Sequence, residues 1–232
     1  MLNSFTWHTG ETIPLPPGKL VCVGRNYVAH ADELGNAVPD EPLLFIKPNT
    51  ALTPLSPSFT IPTHSGVVHH ETELALLIGH PLRRATIAEA QEALLGIGLA
   101  LDLTLRDRQS ELKSLSHPWE KAKAFDDSAP ISPFWPISEF ADLQAIRFTL
   151  DRNGERRQSG DSGQMIWDML SLTAYISQHF TLLPGDLILT GTPAGVGPLA
   201  PGDILQLQLA DYAPLLSRVS AEASRKQPEG SL

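Results

Sequence analysis

His69-His70-Glu71-Thr72-Glu73-Leu74-Ala75-Leu76-Leu77-Ile78-Gly79 is the stretch on which the reading of this chain turns. The apolar run from Leu74 to Ile78, closed by a glycine, has the length and composition of a buried strand. Side chains of a strand alternate faces, so Glu71 and Glu73 at its head project to one side while Thr72 and Leu74 project to the other. Two like carboxylates on one small surface resist ionising together unless positive charge lies between them, and a hard divalent cation is the most economical source of it. A further acid is available. Asp102 interrupts a second apolar run, Gly96 to Leu105, where a lone carboxylate is costly to bury without a partner. A Glu-x-Glu pair is most often a solvated strand face, and a single Asp is often a cap or turn residue. The apolar company of these acids points instead to burial, and so to an oxygen-rich metal site.

A chain of 232 residues has room for one sizeable core but not for a second full domain. The formal net charge of -9, with no cluster of Lys and Arg, argues against a nucleic-acid partner. Cys22 is the single cysteine, which excludes an internal disulfide and any cysteine-rich zinc module. The N-terminus lacks a basic start followed by an apolar core, and no apolar stretch approaches the roughly 20 residues needed to span a bilayer. The expectation is a soluble, cytoplasmic protein with no membrane association.

Residues 1–18 read as a proline-rich lead segment, 19–219 as a single catalytic domain and 220–232 as a loose tail too poor in apolar residues to pack. Strand patterns dominate, from Lys19–Gly24 and Leu43–Lys47 onward. Asn153-Gly154 marks a hairpin turn, and apolar residues at near-helical spacing between Met165 and Phe180 predict one amphipathic helix. Many strands, few helices and mixed connections predict an α+β fold whose mixed sheet curls into a roll or sandwich.

Four segments carry a resemblance to a known family: Cys22 to His30 (CVGRNYVAH), His70 to Gly79 (HETELALLIG), Pro118 to Asp126 (PWEKAKAFD) and Thr190 to Pro198 (TGTPAGVGP). In order and spacing they resemble the fumarylacetoacetate hydrolase family, in its branch of short single-domain acylpyruvate hydrolases. The resemblance implies a mixed β-roll, a Mg2+ or Mn2+ ion held by Glu71, Glu73 and Asp102, and a homodimer. It places Arg25, His30 and Glu33 in a lid segment. His30 and Glu33 are three apart and share a face on a helix, so the carboxylate can orient the imidazole as a water-activating dyad. Only Lys123 matches the family's site lysine, although Lys121 and Lys123 would share a face if the segment were extended. Its ammonium would stabilise an enolate or carboxylate oxygen. Arg106 and Gln109 are spaced to hold a substrate carboxylate from one side of a helical turn. Thr192, in a glycine-rich loop, can donate a hydrogen bond, and Lys47 is a weaker substrate-binding candidate. His69, His70 and His117 lie near these motifs in sequence and read as structural rather than as ligands.

The leading expectation is metal-dependent hydrolysis of a carbon–carbon bond in a short 3-acylpyruvate, giving pyruvate and a carboxylate, with a small 2-oxo acid as substrate. Two alternatives use the same chelate: decarboxylation of oxaloacetate, and isomerisation of an unsaturated 2-hydroxy or 2-oxo dicarboxylate in aromatic breakdown. Fold and metal do not separate these reactions.

Overall fold

The structure of the protein, a computed structural model, describes residues 2–33 and 39–222, apart from the side chains of residues 30–32. The largest sheet runs, in spatial order, Leu43–Lys47, Leu20–Gly24, Leu187–Leu189, Thr72–Ile78, Leu94–Leu101, Ala129–Ile131 and Leu52–Pro54, with Trp135–Pro136 beside Leu94–Leu101. Its pairings are mixed: Leu187–Leu189 lies parallel to Leu20–Gly24 and antiparallel to Thr72–Ile78.

Both faces of this sheet are buried, which is why its strands read as continuous apolar runs. Leu74, Leu76, Ile78, Val21 and Val23 enter one core cluster. Their neighbours Ala75, Leu77, Leu20 and Cys22 enter the other. A second sheet of Glu155–Asp161, Arg147–Arg152, Ile204–Leu209, Leu215–Ala221 and Ser58–Ile61 packs over the first cluster, contributing Phe148, Leu150, Leu205 and Leu207. The expected α+β sandwich is thus present. The opposite face is covered partly by the N-terminal residues. Phe5–Thr6 pairs with Thr12–Ile13, and Phe5 and Ile13 are 1 % exposed, so part of the expected lead segment is core.

Local expectations fare unevenly. Asn153 and Gly154 take φ of 54° and 82° between paired Arg152 and Glu155, the left-handed turn that the dipeptide favours. The predicted helix begins four residues later than Met165, at Met169–His179, because the Asp168 carboxylate accepts from Leu170 N and Ser171 N, both at 3.0 Å, and caps it there. Ser220 and Ala221, expected in the tail, still pair with Thr60 and Ile61. Residues 223–232 lie outside the described residues. Among the described residues no helix is long and apolar enough to cross a membrane.

Candidate metal centre and active site

Antiparallel pairing assembles the acids. Thr72 faces Leu101 and Glu73 faces Ala100 in register, so residues just before one strand and just after the other meet at the same edge. Glu71 falls in the short break between Val68–His70 and Thr72–Ile78, and Asp102 directly follows Leu94–Leu101. The two are joined by Asp102 N donating to Glu71 O at 2.8 Å. All three carboxylates are buried, and one oxygen from each lies within 4.8 Å of the others.

Cations surround the cluster. Lys123 Nζ donates to Glu71 Oε2 at 2.7 Å and to Asp102 Oδ2 at 2.5 Å. Burial opposes the charge on Lys123, but the Asp102 and Glu71 carboxylates outweigh it and hold the ammonium well above its ordinary pKa. Arg106 donates to Glu71 Oε1 at 2.5 Å. Glu73 receives a backbone hydrogen bond from Gly191 N at 2.7 Å. Burial, followed by the charges of Asp102 and Glu71, pushes its pKa well above the usual carboxylate range. Asp102 Oδ1 is buried and accepts no hydrogen bond. Lys47 Nζ lies 2.8 Å from it but off the hydrogen-bond axis, so that contact is ionic only. Crowded anionic oxygens with a spare lone pair suit a hard divalent cation.

Lys47 is not among the residues that line the cavity beside the acids. It is fully buried behind Asp102 and bonded to Ser128 O and Ser128 Oγ, each at 3.0 Å, and to Lys123 O. It braces the acid and the backbone of Lys123. Lys121 and Lys123 do not share a strand face, because Glu120–Lys123 is a helical turn that buries Lys123 and exposes Lys121.

The acids open onto a cavity of about 140 Å³. Arg106, Gln109, Ser110 and Lys113 line it from the helix Arg106–Ser114, and Arg25 lines it from the loop that follows Leu20–Gly24. Their spacing puts these four on one helical face, and Arg106 donates to Gln109 Oε1 at 2.6 Å. Partial burial, then the charges of Arg25 and Arg106, lower the Lys113 pKa. Arg25 adopts φ of 61°, a conformation that a non-glycine residue holds only where its surroundings impose it.

The pattern of the fumarylacetoacetate (FAA) hydrolase C-terminal family matches residues 19–220. The chain belongs to the fumarylacetoacetate hydrolase family. It is 52 % identical to oxaloacetate tautomerase YcgM of Escherichia coli, over 94 % of this chain and 100 % of that one. It is 43 % identical to a mitochondrial oxaloacetate decarboxylase of Dictyostelium discoideum, over 88 % and 91 % of the two chains. The crystal structure of fumarylpyruvate hydrolase from Pseudomonas aeruginosa in complex with Mn2+ and pyruvate is similar with a TM-score of 0.88 and 37 % identity, covering 94 % of this chain and 96 % of that one.

In this member of the fumarylacetoacetate hydrolase family the glycine-rich loop bonds the acid edge at one end and the short helix of the expected lid at the other. Gly191 takes φ of 92° to present its N–H to Glu73, and a Cβ there would lie 2.7 Å from Asn26 Cβ. Gly195 N donates to the Glu33 carboxylate at 3.1 and 3.2 Å. Glu33 closes the short helix Val28–Glu33, so the expected lid segment is tied to the loop through this residue. The His30 side chain lies outside the described residues. Thr192 lines the cavity, but its hydroxyl hydrogen is directed to Thr72 O at 2.9 Å and not into the cavity, as expected for a donor to substrate. His70 is structural, as read from the sequence: its Nδ1 is 2.9 Å from Gln158 Oε1, and burial, the largest influence, lowers its pKa to about 4. Sequence reasoning missed Gln158, which is 1 % exposed. The only signal for it was its place on the inward-facing alternation of a polar strand.

Proposed function

We propose that the protein is a divalent-metal-dependent enzyme that interconverts the keto and enol forms of oxaloacetate. The observation that carries this reading is the pairing, across one small cavity, of an acid cluster with a cationic helix face. The substrate is a dianion. One end, with its 2-oxo group, would face Glu71, Glu73 and Asp102, which would hold Mg2+ or Mn2+. The distal carboxylate would meet Arg25, Arg106 and Lys113, with Gln109 adding its amide. A divalent cation so held supplies Lewis acidity that lowers the cost of removing a proton next to the 2-oxo group. Lys123 keeps its proton and offsets negative charge that develops on substrate oxygen. His30 and Glu33 would carry the proton that leaves C3 and returns to it. Enol-oxaloacetate is an unsaturated 2-hydroxy dicarboxylate, so this reading lies nearer to the isomerase alternative, which the sequence placed in aromatic breakdown and not at oxaloacetate, than to the acylpyruvate hydrolase first expected. The similarity to YcgM supports it.

Oxaloacetate decarboxylation is the second reading, supported by the Dictyostelium relative. It uses the same removal of negative charge onto the 2-oxo group. Acylpyruvate hydrolysis additionally requires a water activated by the lid. The Mn2+-loaded protein should exchange the C3 protons of oxaloacetate with D2O, followed by NMR, much faster than it forms pyruvate. Pyruvate formation at the exchange rate would replace the tautomerase reading with the decarboxylase one, and rapid cleavage of acetylpyruvate would restore the hydrolase. A homodimer belongs to the same proposal and is read by sedimentation velocity.

A further inference from the structure

Gln158 stands on the Glu155–Asp161 strand of the second sheet and reaches into the acid edge of the first. Its Oε1 accepts from Thr72 N at 3.0 Å and lies 2.9 Å from His70 Nδ1. Its Nε2 donates to Thr192 Oγ1 at 2.7 Å and to Pro193 O at 2.9 Å. The amide cannot be turned round, because Thr72 N only donates and Pro193 O only accepts. His70 must therefore carry its proton on Nδ1. Thr192 accepts from Gln158 and directs its own hydrogen to Thr72 O at 2.9 Å. What this hydroxyl has left to offer the cavity is a lone pair.

We infer that Gln158 is a positioning residue that makes Thr192 a hydrogen-bond acceptor toward the cavity, so that the site favours a protonated substrate oxygen, the 2-hydroxyl of an enol, over a carbonyl oxygen. The selectivity rests on the oxaloacetate reading above. The amide direction and the His70 tautomer do not.

Q158M keeps much of the side chain's volume but removes the donor to Thr192 Oγ1 without supplying a new acceptor, so the Thr192 hydrogen is free to turn into the cavity. In the Mn2+-loaded protein it should raise KM for enol-oxaloacetate by about tenfold, the loss of roughly one hydrogen bond. Mn2+ affinity by calorimetry should stay within about threefold. T192V should show the same rise in KM, T192S should restore wild-type behaviour, and the double variant Q158M/T192V should be no worse than T192V alone. Additive losses, or a wild-type KM in Q158M, would overturn the inference. Circular dichroism checks the folding of Q158M, and Q158L, of which the same non-additivity is expected, serves if Q158M does not fold. A readout independent of turnover comes from the metal-free protein, where long-range 1H–15N spectra assigned with H70N should show His70 protonated at Nδ1. The Nε2–H tautomer would overturn the amide direction whatever the substrate. If the wild-type protein fails to turn over oxaloacetate, the functional reading and its enol selectivity fall, and the positioning role is judged by the tautomer.

Discussion

Replacing Lys47 with methionine tests how the acid cluster is held in place. Lys47 is 0 % exposed, with Nζ 2.8 Å from Asp102 Oδ1, and it donates to Ser128 O and Ser128 Oγ at 3.0 Å each and to Lys123 O. Methionine keeps much of the volume and none of these contacts. Removing one partner of a buried ion pair costs roughly 3–5 kcal/mol, because the other charge is left uncompensated. Asp102 retains Lys123 at 2.5 Å on its other oxygen, which moves the loss toward the low end. The carbonyls of Ser128 and Lys123 lose their donor, and that adds about 1 kcal/mol each where no water replaces it. A total of about 5 kcal/mol results, and for a chain of this size it corresponds to a fall in Tm of about 10–20 °C. Differential scanning calorimetry of the metal-free protein reads this directly. Saturating Mn2+ should recover part of the loss, since a bound cation would return positive charge to Asp102. A Tm within about 2 °C of wild type would refute the bracing role and return Lys47 to the substrate-binding candidates.

E73Q replaces an anionic oxygen donor with a neutral amide, so Mn2+ affinity should fall and oxaloacetate turnover should vanish without unfolding; an unchanged calorimetric affinity would contradict the assignment of Glu73. K123M should reduce turnover by about a hundredfold with a smaller change in metal affinity, and near-normal turnover would leave Lys123 a structural residue. The metal-free protein should also show a pH dependence set by Glu73. Burial and the nearby Asp102 and Glu71 raise its folded pKa well above the ordinary 4.5, so the folded state keeps a proton that the unfolded chain has lost. The stabilisation is present in full below the unfolded value, declines as pH rises through the interval up to the raised folded value, and levels off beyond it. Urea unfolding between about pH 5 and pH 8 should show this decline in wild type and not in E73Q, and equal slopes would rule Glu73 out as its source.

The buried sheet was legible because its strands are buried on both faces and carry uninterrupted apolar runs, and the acids stood out against those runs. Convergence of Asp102 with Glu71 followed from the likeness of their surroundings, and the observed register of Thr72 with Leu101 supplies the reason. The bracing contacts of Lys47 were not legible, because a lysine closing a strand ordinarily points to solvent. Only the three-dimensional return of Ser128 and Lys123 to that strand end makes its burial favourable. The role of Gln158 depends on which residue of one sheet lies over which residue of the other, and no local pattern encodes that. The start of the Met169–His179 helix was a matter of competition, in which a capping aspartate overrode an apolar periodicity that extended past it.

The helix Arg106–Ser114, nine residues long, carries the cavity's Arg106, Gln109, Ser110 and Lys113, whereas the acids sit where two central strands end. On the proposed reading, substitutions of Ser110 or Lys113 would alter which acid is admitted while leaving the strand pairing untouched. Arg106 holds Glu71 and Gln109 holds Arg106, so those two positions remain tied to the oxygen cluster. Divergence of activity among relatives should therefore be recorded first at the outer positions of this helix, and only later, if at all, in the sheet.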